Sequence, residues 1–208
     1  MSNFAAKKGS QDTFFITIKI MTSDEYTQFK AFIRQDGIFI AALWTLSFAC
    51  VIGEFKFQPL ATVGAIVALL SPIFAIKRLR RYRDWGLNGK ISFSRALGYG
   101  ITLFIAASLL FCLVQYIYFK FIDNGYLMQQ YETILASKQM QEALATYQLE
   151  QQMEQSMQLM SQMTALEKAA NFLPVNIFIG VALSILMALI IRKDNTAAVK
   201  AMQNENNK

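Results

Sequence analysis

The chain has 208 residues, 54% of them apolar and only 16% charged, with a formal net charge of +6 and a mean hydropathy of +0.31. A soluble domain carries about a quarter of its residues as charges, so this composition reads as a membrane protein. Three Pro and ten Gly exclude a collagen-like or low-complexity chain, two Cys exclude a disulfide framework, and the absence of His removes the commonest general base, metal ligand and pH switch.

Residues 1–36 read as a cytoplasmic extension. Within it, residues 13–20 alternate and are β-branched, with Ile16, Ile18 and Ile20 on one side. That period of two is a strand signal. A lone strand needs a partner's sheet edge or a second copy of itself, so strand addition through these three residues is one expectation. A segment lying on the membrane surface is the other. Thr22 and Glu25 then have the spacing of a capping box. They open a helix over residues 23–35 whose Tyr26, Phe29, Phe32 and Ile33 share a face suited to the membrane interface.

Four charge-free stretches follow, at residues 37–53, 59–76, 96–119 and 172–191. A spanning helix needs about 20 apolar residues, and none of these carries the polar stripe of a soluble helix. No ionisable group falls inside the four stretches as drawn. The sequence therefore argues against a proton-coupled pump, and the lack of His excludes a Ser-His protease in the membrane.

All but four of the 20 basic residues lie before the first span, between the second and third, or after the fourth. By the positive-inside bias both termini are cytoplasmic, and in a bacterium the address is the inner membrane. No signal peptide with a cleavage site is evident. Lys77, Arg78, Arg80, Arg81 and Arg83 concentrate this charge in the loop after the second span. They serve as a topology anchor, or as a contact for anionic lipid or an acidic partner surface. Nothing resembles a nucleic-acid-binding module.

Small residues recur at helical spacing, Gly64 and Ala68 in the second span, Gly180 and Ser184 in the fourth. Such faces let helix backbones approach closely in lipid. Residues 124–170 are rich in Gln, Met, Glu and Ala and lack Pro, which favours helix. One unbroken helix would carry the fourth span far from the third, so an outer helical hairpin is expected, turning between residues 137 and 145. Met153, Met157, Met160 and Met163 step along one face of its returning half. They pack on the sister helix or form an adaptable docking surface for a partner. Residues 194–208 read as a disordered cytoplasmic tail.

Gly89-Lys90-Ile91-Ser92-Phe93-Ser94-Arg95-Ala96, the aromatic exit Gln115-Tyr116-Ile117-Tyr118, and Phe121-Ile122-Asp123 together resemble the bacterial membrane family known as domain of unknown function 4199. So does the helical segment closing on a final span with Arg192-Lys193. The resemblance covers residues 37–193 and implies no established activity. It implies a lipid-linked-sugar glycosyltransferase as a partner. Asn124 stands where that family often has Pro.

The expectation is an all-α integral membrane protein, with four transmembrane helices and an extramembrane helical hairpin between the third and fourth. No catalytic, cofactor or metal site is expected. The leading functional reading is a non-catalytic accessory or scaffold subunit that contacts membrane lipids and another membrane protein, or a second copy of itself. The alternative is an oligomeric carrier or channel for a small uncharged or lipidic solute.

Overall fold

The capping box forms as its spacing dictates. Glu25 N donates to Thr22 Oγ1 at 3.3 Å and Thr22 N donates to Glu25 Oε2 at 3.1 Å, starting α1 at Ser23–Glu54. The computed structural model describes residues 22–192. The strand expected at residues 13–20, with Ile16, Ile18 and Ile20, and the tail at 194–208 lie outside the described residues. Further helices are α2 (Pro59–Arg81), α3 (Phe93–Phe121), α4 (Tyr126–Leu135), α5 (Lys138–Tyr147), α6 (Glu150–Gln162), α7 (Ala165–Asn171) and α8 (Leu173–Ile191). The described residues are all-helical, and four segments are long and apolar enough to cross a membrane: Ser23–Glu54, Pro59–Gly86, Phe93–Phe121 and Ala165–Ile191.

Three expectations change. The helix expected at 23–35 is not a separate interfacial element but the first part of a 32-residue α1. Most of its apolar face turns into the protein, with Tyr26 left exposed: Phe29 and Phe32 meet Tyr82 edge-on, and Ile33 is buried. The loop expected from residue 77 remains helical through Arg81, then passes through a π-helical turn at Tyr82–Gly86. Leu79 and Tyr82, both buried in the core, hold those extra turns in place. Residues 122–164 make three short helices, and with α7 four, where two were expected. Ser137 caps α5 by accepting from Met140 N, Gln148 adopts a left-handed backbone (φ 56°) after α5, and Thr164 forms a second capping box with Glu167. Each cap satisfies backbone groups that an unbroken helix would have used internally.

In the bundle, α3 packs along both α1 and α8, and α1 packs along α2. Small residues set these approaches. A Cβ on Gly180 would stand 2.5 Å from Phe104 Cβ, and one on Gly64 would stand 3.0 Å from Cys50 Cβ. Ser184 is fully buried against Gly100, and Ser47 Oγ donates to the Gly64 carbonyl at 2.9 Å. α2 and α8 share few contacts, and toward the basic end Ala75, Leu79, Met187, Ala188 and Ile191 join the core with Ile40, Tyr99, Leu103 and Phe104. The core fills that half of the bundle. In the other half α2 and α8 separate, and α4 to α6 close over the gap.

Candidate functional site

The gap is a chamber of about 970 Å³, at the upper end of the range for small-molecule sites, roughly 300–1,000 Å³. Trp44, Phe48 and Val51 of α1 form one wall, Phe111 and Phe119 of α3 another, and Leu69 with Pro72 of α2 and Ile179 with Leu183 of α8 flank the opening. Leu69 and Ile179 stand exposed on its rim. Met153, Met157, Met160 and Met163 close it from above, with Met128 and Met140 beside them. The methionine face thus looks into the chamber, while α4 stands opposite α6 across a smaller groove. Three rotatable bonds and a polarisable sulfur let such side chains conform to contents of variable shape.

The walls are built by local chemistry. Pro72 has no N–H and so releases the carbonyl of Ala68 from the helical ladder. Ser71 Oγ donates to that carbonyl at 2.8 Å and accepts from Trp44 Nε1 at 3.1 Å. One hydroxyl thereby satisfies the broken turn of α2 and fixes the indole that forms the chamber floor. Trp44 in turn stacks on Phe104, with ring centroids 6.0 Å apart. Ala68, expected at a helix contact, is exposed and lines the chamber instead. The roof is tied down at its start, where Asp123 Oδ1 accepts from Tyr118 Oη and from Leu127 N, both at 3.0 Å. Phe55 at the end of α1 meets Tyr126 and Tyr131 of α4 edge-on.

Polar groups interrupt the apolar lining at Gln115, Asp123, Lys168, Asn171 and Asn176. None of these five was singled out as a site from sequence, although Gln115 and Asp123 fall within the motifs that carried the family resemblance. Among the described residues, no three His, Cys, Asp or Glu side chains converge on a metal position. Cys50 and Cys112 are free thiols.

A second buried polar cluster lies at the basic end. Asp36 is fully buried, accepts from Arg78 Nε and Tyr99 Oη, and pairs with the Arg78 guanidinium. An acidic side chain therefore does sit inside α1, one residue before the charge-free stretch that the sequence presents. The five basic residues expected to act together consequently divide. Arg78 is committed to Asp36, and Arg83 to Asp84 at 2.7 Å and the Ile191 carbonyl at 3.4 Å. Lys77, Arg80 and Arg81 remain on the surface, Arg81 over the ring of exposed Trp85.

Among known proteins, the family described as Protein of unknown function (DUF4199) matches residues 35–193. No curated protein and no solved structure matches the chain.

Proposed function

We propose that this chain, which belongs to the family described as Protein of unknown function (DUF4199), is a non-catalytic inner-membrane protein that takes the hydrocarbon part of a lipid into its chamber. The observation that carries this reading is the chamber itself: an apolar space of about 970 Å³ between two diverging membrane-length helices. Water gains little from entering a space lined by Leu, Phe and Met, whereas hydrocarbon loses no hydrogen bonds there. With the basic end in the cytoplasm, as the positive-inside bias favours, the opening between α2 and α8 faces the outer leaflet and the roof stands outside. The chamber runs from Asn171 at the end of α7 to Leu183 of α8, about 18 Å at helical rise. That is close to one leaflet, half of a hydrocarbon core about 30 Å thick. This reading takes up the lipidic solute of the carrier alternative.

Filling the chamber tests it. Ala68→Trp projects an indole into the space, and Leu70→Trp places the same bulk on an exposed lipid-facing position outside the lining. After graded delipidation in detergent, the wild type and Leu70→Trp should retain one slowly exchanging lipid per chain, and Ala68→Trp should not. Equal retention in all three would contradict the reading.

A role as accessory subunit is supported separately by the roof, which exposes Tyr147 and Leu159. Large apolar side chains on an otherwise polar segment outside the membrane mark a contact surface. Tyr147→Asp with Leu159→Asp should abolish copurification of a membrane partner under mild detergent and leave lipid retention unchanged. Unaltered copurification would remove this second role.

A further inference from the structure

The polar groups on the chamber wall are unequal. Asp123 is the single acidic residue lining it, and its Oδ1 is already engaged by Tyr118 and Leu127. Gln115 is 2% exposed and its Oε1 meets no donor. A buried amide oxygen left this way bears a desolvation cost that a ligand's donor would remove. Lys168 is half-buried, and among the described residues its ammonium has no carboxylate in ion-pair range. The helix register brings the two together. Gly100 stands against Ser184 and Phe104 against Gly180, so antiparallel α3 carries Gln115 level with Ala169, beside Lys168. Asn171 follows one turn on, and Asn176 lies deeper. Polar groups thus cluster at the roofed end of the chamber, while its depth down to Trp44 and Leu183 is apolar apart from Ser47 and Ser71, whose hydroxyls donate to the backbone carbonyls of Gly64 and Ala68.

We infer that the lipid held in the chamber bears a phosphate. This rests on the lipid-binding reading above and adds the class of head group. Lys168 supplies the cation for a phosphate oxygen, with Asn171 as a second donor. Gln115, level with Lys168, turns its oxygen to a donor of the head group, a hydroxyl or an ammonium, and Asn176, deeper along the wall, donates its amide to an ester carbonyl. The chains extend along α8 toward Leu183. A neutral diacylglycerol has the same chains and ester groups but leaves Lys168 without a counter-charge, and a charge-assisted hydrogen bond is the stronger kind.

The test uses the full purified chain, delipidated, with dioleoyl phosphatidylglycerol, dioleoyl phosphatidylethanolamine and dioleoylglycerol as probes, read by native mass spectrometry. The wild type should hold both phospholipids about tenfold more tightly than the diacylglycerol, the factor that one retained charge-assisted contact gives. Lys168→Gln should lose that preference while binding the diacylglycerol as the wild type does, and Lys168→Arg should keep it. No preference in the wild type, or an undiminished one in Lys168→Gln, would overturn the inference. So would a preference for phosphatidylglycerol alone, since that reads net charge and not phosphate. If the wild type binds none of the three lipids better than Ala68→Trp, it is the chamber reading that fails.

Discussion

At the residue scale the most consequential side chain is Asp36. It is fully buried, and its partner Arg78 has a side chain only 12% exposed. Removing one member of such a pair leaves the other charge uncompensated, at a cost of about 3–5 kcal/mol. Asp36→Ala should therefore lower stability in detergent by that order, while Asp36→Ala with Arg78→Met should recover much of the loss. Denaturant titration of the three proteins checks this, and additive losses would mean the pair is not coupled. Asp36 was illegible from sequence because a search for charge-free runs ends a span at the first carboxylate. The cation that neutralises it is 42 positions away on another helix. The same contact removes Arg78 from the surface patch that its neighbours Lys77 and Arg80 still form. Spacing along the chain therefore overstated the patch.

At the element scale the small-residue faces were readable and the breaks between roof helices were not. Gly180 has no room for a side chain, since an added Cβ would fall 2.5 Å from Phe104 Cβ. Gly180→Val should cost about 1–3 kcal/mol by overpacking, measurable as a lower midpoint of thermal unfolding. An unchanged midpoint would mean that α3 and α8 separate easily there. Ala68, in the same kind of pattern, faces the chamber and should accept larger residues with little loss. Periodicity identified both faces but could not tell which had a helix opposite. In the roof, Thr164-Ala165-Leu166-Glu167 carries a capping box in plain view, masked in the sequence by the helix-favouring composition around it. Thr164→Ala should cost about 1 kcal/mol and loosen the junction that leads Lys168 into the chamber wall. Intact Lys168-dependent lipid preference in that variant would show the junction to be held by packing alone.

For the whole molecule, the four membrane-length helices were legible because hydropathy is a local property of the chain. The chamber was not, because it arises where α2 and α8 part and the core stops. The methionine face gave half of the answer: its spacing showed one apolar side, but not that this side closes over a cavity. Orientation is open to a direct check, with Cys50 and Cys112 replaced by alanine. A cysteine at Gln155 should react with an impermeant thiol reagent in spheroplasts and one at Asn88 should not, whereas the reverse labelling would invert the topology. Hydrocarbon in the space beneath the roof is itself open to measurement. A photoactivatable residue placed at Met157 in native membranes tests it most directly, with Leu189 as a lipid-facing reference and Gln155 as an outward-facing one. Acyl-chain adducts are expected at Met157 as at Leu189, and none at Gln155. A Met157 probe that behaves like the one at Gln155 would contradict it.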